Sequence, residues 1–278
     1  MPATINGRSS QTVLPNACGG RLTLAAGTPV TTADQTAKST VYFSPYKGDQ
    51  IALYDGTIWV YRRFSEISVA VPSTTVTPFD IFAYDSNGTV TLETTNWTND
   101  TTRATNLVDQ NGINVKSGVT TRRYLGTGRT TGSSGQCEDS LANRLLWNFH
   151  HRVMRPLFRS EATGHTYTTG SFRAWNNSAS AAQVTFMVGV LEDAISAHVQ
   201  ARVAVGAGGD GKVSLGLNST TASAFYDYIY GTAVQTYAVG SSAMLYPALG
   251  YNYACPIELG AATSPTFTDV ATYVGLMG

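Results

Sequence analysis

Residues 205–215 read VGAGGDGKVSL, and the fold turns on whether these glycines cradle a phosphate or bend the chain. Gly206, Gly208 and Gly211 satisfy the spacing of a dinucleotide-binding fingerprint, and Gly206, Gly211 and Lys212 satisfy most of a phosphate-binding loop. Both motifs need a helix behind the glycines, its first amides facing the phosphates, and the second also needs a hydroxyl directly after the lysine to hold magnesium. That position is Val213, and the following SLGLNSTT puts Gly, Asn, Ser and Thr where the helix would start. The flanks alternate instead. Ala197, Val199, Ala201, Val203 and Val205 are apolar between His198, Gln200 and Arg202; beyond the loop, Val213, Leu215 and Leu217 alternate with polar positions. A period of two on both sides predicts two strands of an antiparallel hairpin, each with one buried face. No nucleotide and no other cofactor is expected.

The same texture runs outward in both directions. Between residues 160 and 278, runs such as HTYTTGSFRAW, AAQVTFMVGVL, AFYDYIYG and AMLYPALGYNYACPIELG are separated by Gly and Pro, a spacing that suits a β-sandwich or jelly roll. Upstream, Asp55-Gly56, Asn87-Gly88 and Asn111-Gly112 each stand between β-rich flanks, the strongest short-range hairpin signal, and predict a meander of small hairpins. After the linker TGRTTGSSGQ comes CEDSLANRLLWNFHHRVMRPLF, residues 137–158. Leu141, Leu145, Phe149 and Val153 recur every four residues, Leu146 and Trp147 widen the stripe, Asp139 or Ser140 offers a cap and Pro156 a stop; this predicts one amphipathic helix. The expected architecture is mainly β: an attachment arm over 1–18, a β-hairpin/meander domain over 19–132, linker and helix over 133–159, and a jelly-roll-like β-sandwich head domain over 160–278.

Composition excludes several classes. Only 13% of the 278 residues are charged, about half the usual ~25%, and Lys plus Arg equals Asp plus Glu at 18 each, so no global field favours nucleic acid or an anionic membrane. No run approaches the ~18 apolar residues of a membrane span, so no membrane insertion is expected. The opening MPATINGRSS has no apolar core of a signal peptide. Arg62-Arg63 and Arg122-Arg123 sit in strand-like sequence and read as solvated or interface arginines. Cys18, Cys137 and Cys255 are too few and too scattered for a disulfide framework.

Catalytic and metal motifs are absent. His150 and His151, adjacent on the expected helix, diverge by about 100° and cannot chelate together, so no metal is expected. The four histidines lack local partners, and Glu192-Asp193 reads as a pair of turn acids. Aromatics are the richer signal. FYDYIYG sets Tyr226, Tyr228 and Tyr230 on one side of a strand, and LYPALGYNYACP adds Tyr246, Tyr251 and Tyr253. A flat apolar ring with a polar tip suits sugar stacking and subunit contact alike, so Tyr226, Tyr228, Tyr230, Tyr251 and Tyr253 are the candidate contact residues.

The blocks LYDGTIWV, FDIFAYDSNGTV, WTNDTTRAT and EDSLANRLLWN occur in this order within residues 19–158. In them the chain resembles a family of tailed-phage and prophage virion proteins, loosely described as tail-fibre, appendage or other structural proteins. GYNYACPIELG is similar, more loosely, to the family's closing segment. The resemblance implies a noncatalytic virion component, assembled in the host cytoplasm, homotrimeric, and joined to other virion proteins through the N-terminal arm. Its distal head would face host-surface carbohydrate. A decoration protein that stabilises a capsid or neck is the alternative expectation, and a tailspike polysaccharide-degrading enzyme a further one.

Overall fold

The computed structural model describes residues 14–261 and 264–278. Of the expected attachment arm, residues 1–13 lie outside the described residues. Short apolar runs broken by turn residues give strands throughout. The first six are β1 (Gly20–Thr23), β2 (Gln35–Lys38), β3 (Thr40–Pro45), β4 (Gln50–Tyr54), β5 (Trp59–Arg63) and β6 (Ile67–Ala70). Next come β7 (Pro78–Ser86), β8 (Thr89–Asn96), β9 (Leu107–Gln110), β10 (Ile113–Lys116) and β11 (Val119–Arg129), then β12 (Cys137–Asp139), β13 (Asn143–Arg144) and β14 (Leu146–Asn148). The remainder are β15 (Met154–Glu161), β16 (His165–Thr166), β17 (Arg173–Ala174), β18 (Val184–Val188), β19 (Ile195–Val205), β20 (Asp210–Leu217), β21 (Phe225–Tyr230), β22 (Gln235–Leu245), β23 (Gly250–Ala261) and β24 (Thr266–Met277). Among the described residues the protein is mainly β, with a single 3-10 turn at Trp175–Asn177 and no α-helix.

The turn chemistry works at residue level. β7 and β8 are joined by Asn87 and Gly88 alone, at φ of 52° and 93°, and β9 and β10 by Asn111 and Gly112, at 57° and 84°. Two successive positive φ values define the tight turn whose twist matches that of the strands it joins. In the β4–β5 hairpin, Asp55 Oδ1 accepts from the amides of Thr57 and Ile58 at 2.8 and 2.9 Å. Those two bonds hold its carboxyl below the usual range.

The glycine-rich stretch corrects one expectation. Both flanks are strands, but they do not pair with each other: β19 lies between β22 and β24, and β20 between β21 and β23. Residues 206–209 form a corner between two sheets instead of a hairpin turn. Gly208 sits at φ 77° and donates to Gly231 O, and Gly231 donates back to Gly209 O at 2.9 Å. Alternation fixed which face of each strand is buried, and facing sheets bury both faces as well as a shared sheet would.

The predicted helix over residues 137–158 is also corrected. The segment forms β12, β13, β14 and the start of β15. Leu145, Leu146, Trp147 and Asn148 are buried in succession while Leu141 is 37% exposed, so there is no helical stripe. A strand buried on both sides shows an unbroken apolar run, which over a short window mimics helical spacing.

An eight-stranded sheet runs β2-β12-β13-β18-β23-β20-β21, with β17 also on β23, and a five-stranded sheet runs β15-β24-β19-β22, with β16 on β24. Val213 and Leu215 of the first and Val199, Val203 and Phe267 of the second are buried in one hydrophobic cluster. That cluster continues through Trp147 into Phe79 and Ile81 of the six-stranded sheet, which carries β7 to β11, and on to Leu22 and Phe43 of the β1-β3-β6 sheet.

Candidate functional site

Register places the five candidate tyrosines on one face of the eight-stranded sheet. Tyr226, Tyr228 and Tyr230 stand opposite Ser214, Lys212 and Asp210 on β20, which in turn oppose Ile257, Leu259 and Ala261 on β23, the strand carrying Tyr251 and Tyr253. Within that face they fall into two groups. The first three form a row about 13 Å long on the edge strand β21 and are 54%, 59% and 59% exposed. The Lys212 ammonium lies 5.5 Å from the Tyr226 ring centre, and Phe172 packs beside the same ring at 6.1 Å. Phe225, Asp227 and Ile229, the alternate residues, are half-buried and anchor the strand. Tyr251 is half-buried beneath the Arg129 guanidinium, which stacks on its ring at 3.9 Å while binding Asp100. Tyr253 is half-buried opposite Thr185. The structure thus brings together Tyr226, Tyr228 and Tyr230 and leaves Tyr251 and Tyr253 as packing residues some distance away.

Several buried polar clusters were invisible in the sequence. Glu258, fully buried, binds His165 with one oxygen and Arg173 with the other, and the latter oxygen also accepts from the Asn176 amide at 3.2 Å. His165 lies against Trp175 and Phe267. Asp80 pairs with Arg103 at 2.7 Å and accepts from Thr127 Oγ1 at 2.7 Å, while Arg103 also donates to the Gly189 carbonyl at 2.6 Å. A side chain at Gly189 would overlap the Tyr124 hydroxyl, so the glycine permits this approach. Asp139 is held between Arg144 and Arg155 at 3.0 and 2.9 Å. The first two clusters join residues more than 80 positions apart, and a buried polar or charged group is tolerated only when so matched.

Among the basic pairs Arg123 corrects the expectation of a solvated or interface arginine: it is buried, and it donates to the carbonyls of Pro15, Ala17 and Ala52 at 2.6, 3.0 and 2.8 Å. Its neighbour Arg122 points the other way, to Glu93 at 2.8 Å. Part of the expected arm, from Pro15 to Ala17, is therefore gripped by the core. Nearby, His150 Nε2 is shielded from solvent; burial, then the charges of Arg123 and His151, push its imidazole down to about 3. His151 instead binds the Cys18 carbonyl. Glu192 and Asp193 both hold Arg152, at 2.6 and 2.5 Å. Burial pushes the Cys137 and Cys255 thiols up to about 12, which leaves them un-ionised and poor nucleophiles.

No family model matches the chain, and no curated protein does. Among solved structures, it is similar to the Eiger TNF of S. frugiperda at 10% identity, covering 45% of this chain and 92% of that one with a TM-score of 0.30. It is similar to infectious bursal disease virus, Gx strain, at 8% identity, covering 90% and 73% with a TM-score of 0.27. For the isomalto-dextranase of Arthrobacter globiformis complexed with panose the identity is 16% and the TM-score 0.21, and the chain spans 35% of that protein's length. Likenesses this distant carry no functional argument.

Proposed function

We propose that the chain is a noncatalytic structural protein of a tailed-phage virion, a homotrimeric fibre or appendage of tail, neck or head. Its facing eight- and five-stranded sheets, built mostly from the C-terminal half of the chain, form a jelly-roll-like β-sandwich head whose tyrosine row contacts host-surface glycans. The observation that carries the contact reading is the row itself: three aromatic rings in succession on an edge strand, each more than half exposed, although burying a ring of this size is strongly favourable. The virion reading is supported by the four sequence blocks of the resemblance, which form the β4–β5 and β7–β8 hairpins, the segment bearing Arg103, and β12 to β14. The noncatalytic reading is favoured by the carboxylates: both Glu258 oxygens are occupied in the core, and Glu192 and Asp193 are committed to Arg152.

Two measurements test this. Cryo-electron microscopy of intact particles should locate threefold density for this chain at an appendage; its absence from particles overturns the virion reading. For the head, Tyr226→Ala and Tyr228→Ala should each weaken binding to host polysaccharide about tenfold without lowering the melting temperature. Unchanged binding removes the glycan role. Particles stripped of the protein that adsorb normally but rupture under osmotic shock would instead favour the decoration protein.

A further inference from the structure

Among the described residues, none covers one face of the five-stranded sheet. Its inner side, with Leu157, Val274, Val199, Val203 and Val239, is in the core. Alternation turns Met154, Phe158, Tyr273, Gly275, His198 and Met244 to the outer side. Met154 and Met244 are 61% and 68% exposed. An antiparallel sheet facing water normally presents charged side chains there; this face carries Ser196, Gln200, Ser242 and Thr268 among its apolar residues but little charge. Among the described positions that register turns outward, the one charged residue is Arg202, and Asp269 matches it at 3.6 Å. Around Gly275 the face sinks into a depression of about 450 Å³ bordered by Ser196, Ser242, His198, Tyr273 and Met244. At the margin lies β22, an 11-residue edge strand with no charge, no proline and an unbroken register on β19. Edges that remain in water are usually blocked by such features.

We infer that this face is the self-association surface of the protein, and that its occupant is a second copy of the same chain. The inference rests on the homo-oligomer reading above and adds the surface that makes the oligomer. Strands spaced about 4.8 Å and up to ~35 Å long give the four-stranded face roughly 650 Å² per copy, or about 1,300 Å² for a pair, which reaches the ~1,200 Å² of specific interfaces. A surface whose one outward charge, Arg202, is matched by Asp269 of the same chain meets its own copy with little like-charge repulsion. The two exposed methionines are flexible enough to fill the facing copy's depression. The same face can line a threefold axis, with each sheet turned inward.

The test uses the full chain. Light scattering with size exclusion should give the unmodified protein a mass that is a multiple of 29.6 kDa. The double variant Ser196→Lys with Ser242→Lys should keep the parent's far-ultraviolet circular dichroism but dissociate, its association constant reduced about 100-fold or more. A second variant guards against misfolding. The three native thiols are buried, so Ser242→Cys introduces the thiol a maleimide reaches first, and its labelling should slow at least tenfold as protein concentration rises through the association range. A monomeric parent overturns the face and the homo-oligomer reading together. An oligomer untouched by the lysines, or a thiol labelled equally fast at every concentration, overturns the face alone. A dimer that the lysines split supports the face and overturns the trimer.

Discussion

His150 lies beside the buried Arg123, and its ring stays neutral because burial, and then the positive charges of Arg123 and His151, disfavour the imidazolium. With a folded value of about 3 and an unfolded value of about 6.5, the sign is fixed. Above pH ~6.5 both states are neutral and the stabilisation is complete; below it the unfolded chain takes up a proton that the folded chain refuses. Stability should therefore fall by about 2 kcal/mol between pH 7.5 and 5.0 from this group. Urea unfolding of the parent and of His150→Gln at both pH values checks this: the parent should lose that much more than the variant, and equal losses would refute it. None of this was legible beforehand. His165 and Glu258 are 93 positions apart, and Arg103 meets the carbonyl of Gly189 86 positions away. A sequence shows a histidine's neighbours along the chain, whereas its chemistry here is decided by neighbours across it. The tyrosines were readable because a strand's alternation is local: the spacing of Tyr226, Tyr228 and Tyr230 already placed them on one face, though not Tyr251 and Tyr253 apart from them.

At the scale of elements, the tight hairpins were legible for a reason that the glycine corner and the apparent helix lacked. Asn87-Gly88 specifies a backbone conformation that other residue pairs adopt at a cost, so the dipeptide and the turn are nearly the same statement. Gly88→Ala should destabilise by about 1 kcal/mol or more through its φ of +93° alone, since nothing lies within 4 Å of a side chain there. Gly132→Ala, equally uncrowded and without that backbone constraint, should leave the denaturation midpoint unchanged or raise it slightly; an equal loss in the two variants would contradict the conformational account. The corner at residues 206–209 shows the opposite case. Alternation states that β19 and β20 each bury a side, but both a hairpin and a pair of facing sheets satisfy that statement. Gly211 marks the difference only in three dimensions: a side chain there would come within 2.6 Å of Val203 Cγ1 across the two sheets. In residues 137–158 the window was too short to separate a doubly buried strand from a helix, and the surrounding partners decided it.

On the scale of the molecule, the hydrophobic cluster passes without a break from Leu22 through Phe79 and Trp147 to Phe267 and Leu276. Sequence texture suggested a change of unit near residues 133–159, and the sheets do change there, yet β2 joins the eight-stranded sheet through β12 and β14 joins β11. Ion pairs such as Asp139 with Arg155 lie inside the same junction. Differential scanning calorimetry should therefore record one cooperative transition with matching calorimetric and van't Hoff enthalpies. Two resolved transitions would mean that the halves are energetically separate.

The position of β24 has a consequence for how the protein comes into being. It follows β1 to β23 in the chain, yet it is inserted between β15 and β19, and the carbonyls of Met277 and Gly278 receive Trp147 Nε1 and Arg21 Nη2 from far upstream. On the ribosome, Arg21 waits for a partner that leaves the exit tunnel more than 250 residues later. The five-stranded sheet stays split, with its outer side and its apolar inner side both open, until translation of this segment ends. Such long-range closure is slow, so the nascent chain passes through a long interval in which chaperone capture competes with premature association.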